Sequence, residues 1–400
     1  MIEKLTIESF KSLESVSIDL GLVNVFIGPN GSGKSNLLEA LGVLSAAADG
    51  KVNDQTLLQR GVRPGVPVLY KSAFHPQPGQ SKRLSPHIRL KAETRHARYE
   101  VSLNNPLKDP RPAWSFKHEL WQRGEEEPIV GRSPNTRPRP NAEQGLAALK
   151  AVELQPDDMA LKLLQDLQGY VIYTPSTAVL RGTAPEGQPR NPIGLSGGQL
   201  AEAVRHITTK RSPGMHVKLI YEEALGLIDW ARAYGSALAT EMPLSPSAAA
   251  SPRVVRFMDR YMRPGRNVLS GYDASEGALY VLFLAVLAAH ESSPCLFAVE
   301  NADHGLNPRL ARELMSRVCD WFSLGTPVRQ VLLTTHNPLV LDGLPLQRND
   351  VRLFTVSRTS SGRTDVRRIV ISDELRQKAK EGWTLSRLWV MGHLGGIANV

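Results

Sequence analysis

The sequence predicts an α/β protein: an N-terminal antiparallel sheet, a parallel core sheet assembled from both ends of the chain, and a helical insertion between them. Three patterns carry that prediction. Residues 1–27 alternate apolar and polar positions and then become fully apolar at Val23–Ile27, which reads as an edge hairpin leading into a buried strand. Residues 66–121 hold short alternating runs separated by turn residues, among them 88–92 and 99–103, as expected of antiparallel strands. After Gly271 the apolar segments alternate in type, with helices expected at 278–290 and 309–322 and strands at 295–299 and 330–334. Helix and strand in alternation imply a parallel sheet with helices on its faces.

The middle of the chain reads differently. Residues 145–170 and 197–240 have helical periodicity, 124–145 form a polar, exposed loop rich in Pro and Arg, 174–194 are irregular, and 242–252 have the composition of a linker. The chain therefore divides into an N-terminal part (1–124), a helical and irregular insertion (125–265) and a C-terminal part (266–400). The two outer parts form one unit.

Composition excludes several classes. The longest nearly uncharged apolar run, 278–289, is shorter than a membrane span and fits a buried helix. Met1 opens a strand pattern rather than a signal peptide. The two cysteines, Cys295 and Cys319, sit in apolar patterns and read as reduced core thiols, not a disulfide framework. A cytoplasmic protein without membrane contact is expected. The formal net charge of +9 favours a polyanionic partner, nucleic acid above all, although a basic soluble protein without such a partner has the same balance. Basic residues thicken at Lys82, Arg83, Arg89, Lys91, Arg95 and Arg98 and again at Arg132, Arg137 and Arg139, with no base-reading motif beside them.

Residues 28–35, Gly-Pro-Asn-Gly-Ser-Gly-Lys-Ser, fit the pattern G-x-x-x-x-G-K-[ST] between an apolar strand and a helix. The glycines let backbone N–H groups wrap a phosphate, Lys34 reaches the β- and γ-phosphates, the Ser35 hydroxyl ligates Mg²⁺, and the helix N-terminus adds its dipole. ATP or GTP binding through Asn30, Gly31, Ser32, Gly33, Lys34, Ser35 and Asn36 follows. No guanine-reading N-K-x-D pattern is evident.

Pro29 to Asn36, preceded by Ile-Glu-Ser-Phe-Lys-Ser-Leu at 7–13, resembles the ABC-type ATPases of the SMC/RecF group, small predicted ATPases of anti-phage defence or DNA-repair type. The resemblance implies a P-loop NTPase with an ABC-type head that binds ATP and Mg²⁺ between two copies. In such heads a signature sequence caps the γ-phosphate held by the opposite subunit. A literal Leu-Ser-Gly-Gly-Gln stands at 195–199, but far upstream of the acidic strand that the signature helix should enter. It reads as an N-cap and first turn of a helix over 199–210. Residues 274–278, Ala-Ser-Glu-Gly-Ala, resemble the compact Leu-Ser-Asp-Gly-Thr form and open the apolar helix just before that strand, so Ser275 and Gly277 are assigned to the signature.

Residues 299–308, Val-Glu-Asn-Ala-Asp-His-Gly-Leu-Asn-Pro, resemble the family's Ile-Asp-Glu-Pro-Glu-Asn-Gly-Leu-His-Pro. Glu300 then takes the metal-associated position, and Asn301 falls where the water-polarising glutamate usually stands. An amide positions water but cannot accept its proton, so hydrolysis is expected to be slow unless Asp303 or His304 substitutes. The strand 331–334 followed by Thr-His-Asn-Pro resembles the switch segment, which makes His336 the γ-phosphate contact.

Together these imply a nucleotide-sandwiched homodimer, with higher oligomers left open, that acts as a conformational switch. Members of this group often work beside an effector nuclease of TOPRIM or HNH type encoded nearby; this chain carries neither nuclease signature. Two functions are expected: control of a DNA-directed or nuclease partner, with direct DNA contact possible, or an ATP-loaded scaffold that holds a toxin-like effector without DNA.

Overall fold

The computed structural model describes residues 1–75, 85–133, 135–137, 140–209, 214–245 and 251–394. Fifteen strands, numbered in chain order, form three sheets among these residues. The first is antiparallel, with β1 (Lys4–Phe10), β2 (Leu13–Asp19), β4 (Ile88–Glu93), β5 (Ala97–Asn104), β6 (Ser115–Arg123) and β7 (Val130–Arg132) in the order β2-β1-β4-β5-β6-β7. The second is the core sheet, in the order β15-β14-β3-β13-β12-β8. Its strands are β3 (Val23–Ile27), β8 (Ile172–Tyr173), β12 (Leu296–Val299), β13 (Gln330–Thr335), β14 (Val351–Arg358) and β15 (Thr364–Ile369). All neighbours in it are parallel except β14 and β15. The third is the three-stranded β11-β10-β9 of β9 (Ala231–Leu238), β10 (Arg253–Asp259) and β11 (Val268–Ser270).

Period-two burial explains how the layers stack. On β3, Val23, Val25 and Ile27 face one core and Phe26 the other. The Phe26 side packs on the helix Lys34–Ala48, the helix Met159–Gly169 and the antiparallel sheet. The opposite side packs on the helices Leu200–Thr209, Met215–Leu227, Glu276–Ala289 and Pro308–Ser323. The helices Lys34–Ala48 and Glu276–Ala289 are almost wholly buried, the second nearly all apolar and the first burying Glu39 in ion pairs, as helices covered on all faces must. Asn307 caps Pro308–Ser323 by accepting the Leu310 N–H at 2.9 Å, with Pro308 at the first helical position, where its missing donor costs nothing.

The structure corrects five expectations. Residues 231–238 form strand β9 rather than helix, because they pair with β10 in register from Leu238 and Arg253 to Ala233 and Met258, with the register shifting before Ala231 and Asp259. Segment 125–265 is not only helical and irregular: β8 supplies an edge strand beside β12, and β9 and β10 build a sheet. The loop 124–145 contains β7, and Arg132 there is buried, donating to the Gln144 carbonyl at 2.6 Å and lying over the Phe116 ring. Cys319 is a core thiol, but Cys295 is only part-buried. Residues 195–199 are not a first helical turn: Gly197 has φ +100° and the helix starts at Leu200. Among the described residues no helix is long and apolar enough to cross a membrane.

Candidate functional site

The turn between β3 and the helix Lys34–Ala48 is fixed from behind. Gly33 has φ +111°, where an L side chain is strained, and a Cβ there would lie 2.2 Å from Thr364 Oγ1. Thr364 Oγ1 in turn sits 2.7 Å from the Ser32 carbonyl and from Ser12 Oγ, and Asn36 Nδ2 donates to Ser12 Oγ at 2.7 Å. Asn36 therefore anchors the loop as well as lining it. Arg358, at the end of β14, donates to the Gly31 carbonyl at 2.8 Å.

Asn36 and Arg358 line a cavity of about 400 Å³ with Asn30, Gly31, Ser32, Gly33, Lys34 and Ser35, joined by Arg63, Glu300, Asn301 and His336. Parallel pairing of β12, β13 and β3 brings the last three together, since each follows the same end of a neighbouring strand. The Ser35 hydroxyl donates to Glu300 Oε1. A hydroxyl and a carboxylate in contact, both hard oxygen donors, fit a Mg²⁺ held jointly with nucleotide phosphates. Ser35 and Glu300 would hold such an ion, which would supply charge neutralisation for the phosphates.

Lys34 is buried, and its ammonium donates to the carbonyls of Gly28 at 2.6 Å and Pro29 at 3.0 Å. Burial pushes its pKa down to about 8, against the opposing pull of Glu300 and Asp303. His336 is also pushed below its ordinary value, first by burial and then by the Lys34 charge. Its imidazole is thus neutral at physiological pH and able both to donate and to accept a hydrogen bond.

Asn301 occupies the left-handed region at φ +52°, a conformation in which Asn is among the least strained side-chain-bearing residues. Its N–H donates to Thr334 Oγ1 at 2.9 Å. Asp303 does not line the cavity, yet its charge raises the pKa of both Lys34 and His336, and its Oδ1 is buried with no hydrogen-bond partner. His304 is exposed and turned elsewhere, 3.7 Å from Glu276 Oε1 and against the Tyr280 ring.

Ser275 and Gly277 are not brought to this cavity. Ser275 precedes the helix Glu276–Ala289 and lines a separate cavity of about 640 Å³, with Asn307, Arg309 and Trp230. Glu276 between them accepts from Thr177 Oγ1. The literal Leu-Ser-Gly-Gly-Gln string closes around an internal anion instead: the N–H groups of Ser196 and Gly198 donate to Glu186 Oε2 at 3.1 and 2.9 Å, so its donors are already used.

Family models match two stretches: residues 1–83 by "AAA ATPase domain" and 187–342 by "AAA domain, putative AbiEii toxin, Type IV TA system". The DNA replication and repair protein RecF of Renibacterium salmoninarum is 45% identical over 62 residues, a stretch that spans 15% of each chain. The structure of an SmcHead bound to the C-winged helix domain of ScpA superposes with a TM-score of 0.53 at 13% identity, over 94% of this chain and 99% of that one. The chain is similar in these stretches to ABC-type, SMC/RecF-like ATPases, and it has the fold of an SMC head. The SMC head domain from Thermotoga maritima is similar at 14% identity and a TM-score of 0.46, over 92% of this chain and 99% of that one.

Within this ABC-type head, sequence reading missed Arg63 and Arg358. Both reach the phosphate-loop cavity from loops or strand ends that carry no motif. Arg63 is held by Glu39 at 2.6 Å, and Glu39 also pairs with Lys11. The recurrence of Glu39 one turn after Ser35 was the one signal available. Of the basic residues singled out in the sequence, Arg89 pairs with Glu8 at 3.0 Å, Lys91 with Glu93 at 2.8 Å, and Arg98 bonds Gln122, while Arg95 is exposed. Lys82, Arg83 and Arg139 lie outside the described residues, as does the end of the C-terminal segment from Gly395 on.

Proposed function

We propose that the chain is an ATP-binding, slowly hydrolysing ATPase that works as a Mg·ATP-sandwiched homodimer, a conformational switch acting on a DNA-directed or nuclease partner in anti-phage defence or DNA repair. One observation carries the dimer: Lys34, Ser35, Glu300 and His336 share a cavity that Ser275 and Gly277 do not enter. A second copy supplies those two groups, and the helix N-terminus behind Ser275 then faces the γ-phosphate.

The chemistry follows from the side chains. Lys34 and the loop N–H groups hold the phosphates, and Ser35 and Glu300 hold the metal. His336 positions the attacking water as a neutral donor and acceptor. Asn301 orients water without taking its proton, which makes turnover slow. Asp303 is the substitute base favoured here, because its charge acts on both Lys34 and His336 and its Oδ1 has no hydrogen-bond partner, whereas His304 lies 3.7 Å from Glu276. The RecF likeness and the defence-type family model support the DNA-repair or defence setting.

The second reading, an ATP-loaded scaffold that sequesters a toxin-like effector without DNA, is favoured by Asn301, since a slow site keeps ATP bound. Complementation tests the sandwich. Lys34→Ala and Ser275→Arg chains are each expected to fail to retain ATP in a dimer, and an equimolar mixture to recover part of the wild-type retention through one intact composite site. No recovery in the mixture contradicts the shared site.

A further inference from the structure

The densest run of positive charge among the described residues lies on the β10–β11 hairpin, where the sequence motifs did not point. Residues 251–267 hold five arginines (253, 256, 260, 263 and 266) against one carboxylate, Asp259. That acid is committed to the turn: its Oδ1 accepts the Tyr261 and Met262 N–H groups at 2.7 and 3.0 Å. Arg256, Arg263 and Arg266 are exposed, and no carboxylate among the described residues pairs with them. At the tip Tyr261 is 77% exposed, and Tyr272, just after β11, is 43% exposed.

The chemistry of this tip is specific in two respects. Every cation is arginine, whose planar fork binds phosphate bidentately and stacks on flat rings, in contrast to the hydrated point charge of lysine. The Tyr261 ring is exposed at the same turn, with a flat face open to a stacking partner. Arginines that track a backbone, interleaved with tyrosines on which bases stack, are the two halves of a single-strand binding surface.

The hairpin is also joined to the signature. Arg260 N donates to the carbonyl of Trp230, which lines the cavity shared with Ser275. β11 ends at Ser270, whose hydroxyl donates to Asp273 at 2.7 Å and whose carbonyl accepts at 3.0 Å from the N–H of Ala274, one residue before Ser275. We infer that this hairpin is a sequence-independent contact for single-stranded nucleic acid, placed beside the face that closes on the partner's ATP. The inference rests on the DNA-directed reading above and names its surface.

Fluorescence anisotropy with a labelled mixed-sequence single-stranded oligodeoxynucleotide, titrated across salt on the full chain with Mg·ATP, tests it. The wild type is expected to bind with log K falling linearly against log salt. The triple variant Arg256→Ala, Arg263→Ala, Arg266→Ala should lose on the order of tenfold or more in affinity and roughly 2 in the slope, at about 0.7 per lost contact, while retaining ATP as before. The corresponding lysine triple keeps the slope, which separates charge loss from misfolding. Tyr261→Ala should weaken binding about fivefold or more with the slope unchanged. A triple alanine variant that binds like the wild type overturns the hairpin and leaves the DNA-directed reading standing. A wild type that binds neither single nor double strands at low salt overturns both. Binding of phosphatidylserine vesicles in place of oligonucleotide makes the patch a membrane contact and also overturns it.

Discussion

The backbone N–H of Asn301 donates to Thr334 Oγ1 at 2.9 Å, which ties the end of the acidic strand to the strand that carries His336. The bond holds Asn301 at φ +52°, with its carboxamide lining the phosphate cavity. The residue proposed for the water-polarising position is therefore also a conformational choice. Asn301→Glu supplies the missing base at a backbone cost of about 1 kcal/mol. It is expected to raise phosphate release by at least tenfold and to lower the melting temperature by a few degrees, read by a phosphate assay and a thermal scan. Asp303→Asn in the wild-type background should abolish what release there is if Asp303 is the substitute base.

Nucleotide affinity should depend on pH through Lys34. Its free-protein pKa is about 8, and a bound phosphate raises it by favouring the ammonium. Binding is then strongest below about 8 and weakens as pH rises through that value toward the bound pKa, with proton uptake in that window. Calorimetry at pH 8.5 in buffers of different ionisation enthalpy reads the uptake. Asp303→Asn removes a charge that raises the Lys34 pKa and should move the loss of affinity to lower pH.

Two candidate signatures make opposite predictions. Glu186→Ala strips the acceptor from the Ser196 and Gly198 N–H groups and should cost roughly 1–3 kcal/mol of stability while leaving ATP-dependent dimerisation intact. Ser275→Arg should leave stability nearly unchanged, since the side chain opens onto the cavity, and abolish the dimer. Denaturant unfolding and solution mass separate the two.

Thr177 reaches Glu276 from the short helix Thr177–Leu180 within the stretch 174–194, and His304 approaches the same carboxylate at 3.7 Å. This contact links the signature turn to the loop after β12 within one chain. Thr177→Val is expected to weaken ATP-dependent dimerisation severalfold with Lys34-dependent nucleotide binding by the monomer unaltered, a split that equilibrium binding at low protein concentration detects.

Much of this was legible because the phosphate loop, the Ser275 turn, Glu300 and His336 each sit at the end of a strand or the start of a helix with strong local patterning. The core strands β3, β12 and β13 fell where apolar runs placed them. What escaped was set by long-range pairing. β9 carries three alanines, a glycine and a serine among its eight residues, a composition of weak strand preference, and β10 and the cover of Leu200–Thr209 make it a strand. β8 is two residues long, too short for any periodicity to register. Arg63 and Arg358 enter the cavity through tertiary contacts with Glu39 and Gly31. The Leu195 to Gln199 string misleads because its N–H donors serve Glu186, a partner that only the folded loop reveals.

Solution mass by light scattering, with and without Mg·ATP and with phosphate release followed in the same sample, tests the shared site most directly. The account predicts a 43.9 kDa monomer that doubles in mass on addition of Mg·ATP and stays doubled while phosphate appears slowly. A mass that remains at 43.9 kDa with ATP bound contradicts it, because Ser275 would then have no phosphate to meet.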